Sequence, residues 1–297
     1  MRGIAFLMLC SILLFIVSVA SAQTLPPGVQ AVVSQFKGQL YFAAKNLKTG
    51  EIIQYRADDR VQTASVVKVP ILVELFSQAR EQRFMLDEVV SVSAVNKVEG
   101  SGILRDMGTG LHLTLRDVAT LMIVLSDNTA TNMLIDRLGV AAVNARMRQA
   151  GLQQTTLYKK VFKPATEVIP EEQKKWGLGV TTPREMLQLM EKIYRKEIAG
   201  AAGCDEMIAI MKQQRDRDQI PRYLVGSGWE KVQVANNTGA LDRVRNDVAI
   251  VFLPDGDFVL SLFAQESEDH KWTADNEATL ALAKLSLALL TSLRSKP

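Results

Sequence analysis

The chain has 297 residues, 47% of them hydrophobic and 23% charged, with a formal net charge of +3. That balance fits a globular protein with a sizeable core and excludes the strong basic charge of a nucleic-acid-binding protein or a membrane-surface segment. Two histidines, His112 and His270, nearly exclude a histidine-based triad or a multi-histidine metal site, and two cysteines, Cys10 and Cys204, make no disulfide framework. No metal and no cofactor are expected.

Residues 1–22 have the form of a secretory signal: Arg2, an apolar run over 4–19, and the small-residue site Ala20-Ser21-Ala22. The mature chain is expected to begin near Gln23, exported to the periplasm or beyond, with no membrane attachment after cleavage. Cys10 leaves with the signal, and Cys204 is read as a small buried residue.

A short helix is expected over 29–37. Strands over 39–46 and 51–55 flank Lys48-Thr49-Gly50, a hairpin turn. A polar loop then leads to Ser65-Val66-Val67-Lys68, which opens an apolar helix running to about residue 81. Residues three apart share a helix face, so the Lys68 amine lies beside the Ser65 hydroxyl. A serine needs a base to become a nucleophile, and a buried lysine with a lowered pKa can serve. Free N–H groups at the helix start can hold an oxyanion. Ser34-Gln35-Phe36-Lys37 has the same spacing and reads as a solvated helix end.

The stretch 86–113 is irregular and carries Gly100-Ser101-Gly102. A helix over 115–125 is interrupted by Ser126-Asp127-Asn128 and resumes over 129–138, ending at Gly139; another spans 140–149. Residues 158–179 form a polar connection long enough to be functional. Thr182-Pro183 starts a helix to about 195, and another follows over 205–213. Strands are expected over 232–235, 247–253 and 258–263, then a long amphipathic helix over 274–293. Strands at both ends with helices between predict an α/β (α+β) fold. Its sheet is built from the two termini (23–61 and 214–297), with a helical part (62–213) inserted into a single domain, 23–297.

Ser65-x-x-Lys68, Ser126-Asp127-Asn128 and the strand motif Asn237-Thr238-Gly239, in that order, resemble the class A serine β-lactamases and their penicillin-binding relatives, whose signature is Ser-x-x-Lys, Ser-Asp-Asn and Lys-Thr-Gly. The resemblance extends to Gly100-Ser101-Gly102-Ile103-Leu104, Thr181-Thr182-Pro183-Arg184 and Arg245-Asn246-Asp247. It implies a class A β-lactamase-like fold, an antiparallel sheet flanked by helices, with the site in the cleft beside the helical part. It also implies roles. Ser65 attacks a carbonyl and becomes acylated, with Lys68 taking its proton. The N–H groups of Ser65 and Ala240 form the oxyanion hole. Ser126 protonates the leaving nitrogen, Asn128 binds the substrate's side-chain amide, and Thr238 holds its carboxylate.

Two departures stand out. Asn237 replaces the motif lysine, and Lys48-Thr49-Gly50 precedes the nucleophile and cannot stand in for it. Arg245 is the candidate to supply the missing charge. The family's Glu-x-x-Leu-Asn loop is absent; Glu167 is nearest in register to be the deacylating base, with Glu171 and Glu172 as rivals. The resemblance therefore implies a hydrolase of β-lactams through acyl-Ser65; the signal segment makes it an exported one, and a monomer is assumed. The alternatives are a D,D-peptidase or esterase acting on peptidoglycan-like substrates, or a receptor that binds β-lactams or cell-wall fragments without turnover.

Overall fold

A computed structural model describes residues 24–165, 168–226 and 228–294, with the side chain of Glu172 outside the description. The signal segment and Glu167 lie outside the described residues.

In chain order the elements are α1 (Pro27–Gln35), β1 (Gln39–Asn46), β2 (Ile52–Tyr55), β3 (Val61–Gln62), a 3₁₀ turn (Ala64–Val67), α2 (Lys68–Arg80), β4 (Val89–Ser91), β5 (His112–Thr114), α3 (Leu115–Val124), α4 (Asn128–Leu138), α5 (Val140–Gln149), β6 (Thr156–Leu157), α6 (Glu171–Lys174), β7 (Gly179–Thr181), α7 (Pro183–Tyr194), α8 (Gly200–Lys212), β8 (Gln233–Leu241), β9 (Val244–Phe252), β10 (Phe258–Gln265) and α9 (Glu277–Leu293).

The main sheet is antiparallel, in the order β2-β1-β10-β9-β8. The two ends of the chain meet in its middle, where Gln39 pairs with Gln265 and Asn46 with Phe258. One face carries Phe42, Leu260 and Leu262 against Leu282, Leu285 and Leu289 of α9. The other carries Tyr41, Ile250 and Phe263 into a larger core with α2, α3, α7 and α8. Alternating side chains of a strand point to opposite faces, and here both faces are covered. That explains why β9 from Val248 onward and most of β10 read as apolar runs.

The helix boundaries follow local chemistry. Thr114 and Asp117 form a capping box at α3, whose exposed cap leaves the apolar run free to pack. Asp127 caps α4, and Thr182 caps α7 with Pro183 at its first position. Three differences from expectation have physical causes. Helix α8 starts at Gly200, five residues early, because Gly203 packs its backbone against Phe76 of α2. Strands β6 and β7 are two and three residues long and exist only by pairing with β3 and each other. Strand β8 runs on through Asn237-Thr238-Gly239 to Leu241, and β9 begins already at Val244. Among the described residues no helix is long and apolar enough to cross a membrane.

Candidate active site

Ser65 sits in the 3₁₀ turn ahead of α2, and Ala64 before it adopts φ +46°, a left-handed conformation unusual for a residue with a Cβ. Lys68 begins α2 and is fully buried. Its Nζ lies 3.1 Å from Ser65 Oγ, 2.9 Å from Ser126 Oγ, 2.7 Å from Ser126 O and 3.1 Å from Asn128 Oδ1. Burial lowers the Lys68 pKa from 10.5 to about 7, against the opposing pull of the Asp127 carboxylate. Near neutrality the amine therefore has a free lone pair for much of the time, within reach of the Ser65 proton.

The Ser126-Asp127-Asn128 turn joins α3 to α4. Ser126 has φ +53°, which turns its hydroxyl and carbonyl toward Lys68. Asp127 is buried; its carboxylate accepts from Ala130 N (2.8 Å), Ile103 N (2.7 Å) and Leu104 N (2.9 Å). It thus ties the loop over 99–104 to the start of α4. Asn128 accepts from Lys68 through Oδ1 and donates through Nδ2 to Glu99 O at 3.2 Å. Close approach explains the glycines of this loop. A Cβ at Gly102 would lie 2.3 Å from the Asp127 carboxylate, and one at Gly100 2.6 Å from Asn128 Nδ2.

The opposite wall is β8, the sheet's edge strand. A Cβ on Gly239 would come within 2.9 Å of Thr63 O and 3.0 Å of Ser65 N and Val66 N, so strand and nucleophile turn touch backbone to backbone. Three amides hold them together. Asn237 Nδ2 donates to Ser65 O (3.0 Å), and Asn246 Nδ2 donates to Gln62 O (2.9 Å) and Thr63 O (3.0 Å). Gln265 Nε2 in turn donates to Asn246 Oδ1 at 2.9 Å. Asn237 is fully buried, and its Oδ1 has no partner among the described residues. Behind Thr238, buried Asp247 accepts from Asn236 Nδ2 and Ile220 N. Burial pushes its pKa up to about 8.

Between the walls lies a cleft of about 910 Å³, lined by Ser65, Ser126, Asn128, Thr238, Gly239 and Ala240, among others. Ser65, Lys68, Ser126 and Asn128 form one cluster, with Thr238, Gly239 and Ala240 facing it. Two expected substrate contacts are placed otherwise. Asn237 spends its donor on the Ser65 carbonyl. Arg245 is buried, with Nη1 on Leu241 O (2.6 Å) and Val244 O (2.8 Å) and Nη2 on Lys271 O (2.8 Å). Glu171 pairs with Lys174 on an exposed turn and is absent from the cleft lining. Sequence reasoning missed Asn132. Its side chain makes paired bonds to Val161 N (2.8 Å) and Val161 O (3.0 Å), docking the long connection onto α4 beside the cleft. The signal for it was the four-residue spacing from Asn128, which puts both on one helix face.

A serine hydroxyl, a buried lysine amine and a second hydroxyl within hydrogen-bond reach of one another, at the end of a helical core and closed by an edge strand, have the make-up of a serine hydrolase. Residues 25–293 match the β-lactamase enzyme family, and the chain belongs to that family. Its fold is that of the class A serine β-lactamases. A β-lactamase from Bacillus licheniformis is 26% identical over 249 residues, which are 80% of this chain and 75% of that one. One from Citrobacter koseri is 24% identical over 94% of this chain and 96% of its own. Among solved structures, a β-lactamase from Sphaerobacter thermophilus superposes with a TM-score of 0.80 at 28% identity, covering 91% of this chain and 98% of that one. A point mutant of PBP-A, solved as its acyl-enzyme complex with penicillin G, superposes with a TM-score of 0.76 at 27% identity, covering 89% and 94%.

Proposed function

We propose that this hydrolase opens the β-lactam amide through an acyl-Ser65 intermediate. The observation that carries the reading is the buried Lys68 amine, 3.1 Å from Ser65 Oγ and 2.9 Å from Ser126 Oγ, with its pKa brought down to about 7. Neutral Lys68 takes the Ser65 proton as Oγ attacks the carbonyl carbon. The developing oxyanion is held by the N–H groups of Ser65 and Ala240; as the outer member of the sheet, β8 has N–H groups free of strand pairing. The proton moves from Lys68 through Ser126 Oγ to the ring nitrogen as the C–N bond breaks. Thr238 anchors the substrate carboxylate, and Asn128, held between Lys68 and Glu99, lines the approach of the substrate's side-chain amide. Water then cleaves the ester with Glu167 as base, releasing the acid and regenerating Ser65. The secretory form of residues 1–22 supports action outside the cytoplasm, which N-terminal sequencing of the recovered protein checks.

A second reading, acylation without release, is favoured by the exposed Glu171–Lys174 pair and by the uncharged Asn237 on the carboxylate-binding strand. Mass spectrometry of the protein mixed with penicillin G decides between them. A transient 1:1 adduct on Ser65, made lasting by Glu167→Gln, is the expected result. A lasting adduct in the unaltered protein would establish the penicillin-binding reading, and no adduct would overturn both.

A further inference from the structure

A carboxylate held by the Thr238 hydroxyl alone keeps its negative charge without a counter-charge, although a charged donor makes such a hydrogen bond roughly twice as strong. The two residues expected to bring that charge do not. Asn237 is neutral and donates to Ser65 O, and the Arg245 guanidinium is buried on three backbone carbonyls and against the Trp272 ring. A third group is placed for it. After α8 the chain crosses from the helical wall to the sheet wall. On the helical side, buried Gln214 donates through Nε2 to Ile123 O at 2.7 Å, and Arg215 N donates to Val124 O at 3.2 Å, two residues before Ser126. On the sheet side, Arg217 Nη1 donates to Val234 O (3.3 Å) and Asn236 Oδ1 (3.4 Å), the latter two residues before Thr238. This loop therefore closes the cleft where Ser126 and Thr238 face each other, and β8 runs from there toward Ala240 and Leu241.

Arg215 stands in the middle of the loop, exposed and in the lining of the cleft. Its basic neighbours are engaged: Lys212 Nζ donates to Gln233 Oε1 at 2.7 Å, and Arg217 bonds to β8. The Arg215 guanidinium has no hydrogen-bond or ion-pair partner among the described residues. Of the lysines in the lining, Lys160 pairs with Asp136, and Lys159 belongs to the connection docked at Asn132, not to the loop that meets the strand of Thr238. The opposing charge is Asp216, also in the lining, whose Oδ1 accepts from Asp218 N at 3.2 Å. After burial, Asp216 is the next group that raises the pKa of Asp247, the cross-strand partner of Thr238, which again puts the loop beside that residue.

We propose that Arg215 supplies the positive charge that receives the substrate's ring carboxylate, so that the site favours anionic β-lactams over their neutral esters. The proposal deepens the β-lactam reading above and rests on it. Thr238 gives the carboxylate one directed hydrogen bond, and Arg215 presents a planar fork of donors that matches its two oxygens. At the mouth of the cleft, with Asp216 beside it, the pair is an exposed one, screened by salt and of modest size.

The test compares penicillin G with its methyl ester, which differ only at the carboxylate, and reads the second-order rate of Ser65 adduct formation by mass spectrometry. Arg215→Gln is expected to slow the acid about fivefold and the ester less than about twofold, while Arg215→Lys keeps most of the rate with the acid. Raising NaCl from about 50 mM to about 500 mM is expected to slow the acid in the unaltered protein and to change the Arg215→Gln rate little. Equal losses on both probes from Arg215→Gln, or none on either, would overturn the assignment. So would an equally acid-selective loss from Arg217→Gln, which would move the charge to Arg217. If neither probe forms an adduct with the unaltered protein, the β-lactam reading falls and this proposal with it. Adducts that form at rates indifferent to Arg215 overturn this proposal alone.

Discussion

The two walls of the cleft are built by different means. On the helical wall, side chains do the building: Lys68 alone touches Ser65, Ser126 and Asn128, and Asp127 collects three backbone N–H groups. On the sheet wall, backbone does it: Gly239 lets β8 reach the nucleophile turn, and amide side chains stitch the contact. A wall made of interlocked side chains tolerates little change in residue type. One made of backbone proximity can accept Asn237 where relatives of this pattern carry lysine.

The strongest way to break that contrast is at Lys68. Lys68→Ala is expected to slow acylation by about 10²–10⁴-fold, the range of a lost general base, read as the rate of adduct formation by mass spectrometry. In the unaltered protein that rate should climb with pH through about 7, because only the deprotonated amine accepts the Ser65 proton. A flat profile would move the base elsewhere.

Next in size is Asp127→Ala. It leaves three N–H groups without their acceptor, two of them, Leu104 N and Ala130 N, buried, and is expected to cost about 3 kcal/mol in urea unfolding. On the other wall, Gly239→Ala is expected to cost about 1–3 kcal/mol by overpacking against Thr63 O and Ser65 N. Its acylation rate should fall by more than its stability loss explains, since the strand is pushed off the nucleophile turn. Equal stability losses from Gly239→Ala and from Asn237→Ala, with no change in rate, would erase the distinction between the walls.

Asp247 gives a pH test of the sheet wall. Its pKa is raised from 3.8 to about 8, so between those values the folded state binds more protons than the unfolded one, and stability falls as pH rises through the window. Lys68 acts oppositely above about 7, where its lowered pKa makes stability rise toward 10.5. Urea midpoints at pH 5 and pH 8 should therefore decline less in Asp247→Asn than in the unaltered protein. The smallest effect is expected from Asn237→Ala, about 1 kcal/mol for the single bond to Ser65 O, with acylation slowed severalfold.

The same contrast explains what could be read from the chain. Ser65 with Lys68, and Ser126 with Asn128, are local pairs whose spacing states the geometry. Caps at Thr114, Asp127 and Thr182 are likewise local, and α3, α4 and α7 start where those residues indicate. The sheet from the two termini was legible because β1, the second half of β9 and β10 carry apolar runs. Strands β6 and β7 were not, since two or three residues carry no period and their pairing partners are distant. Arg245 was misleading for a related reason. Its fate depends on Lys271 and Trp272, more than twenty residues onward on another loop. Lys48-Thr49-Gly50 shows the reverse: a motif by spelling, it is a turn whose Lys48 and Thr49 N–H groups are both taken by Asn46 Oδ1.

The seam between the first and last strands also sets an order of events. During synthesis the nucleophile segment emerges early, but the amides that seat it belong to residues 237, 246 and 265, separated from their partners by 172 to 203 positions. A nascent or truncated chain therefore holds Ser65 and Lys68 without the strand that completes their site. On the proposed function, reactivity at Ser65 is expected to be a late property of the molecule, and labelling of a nascent chain by a β-lactam would report arrival of the carboxy-terminal strands.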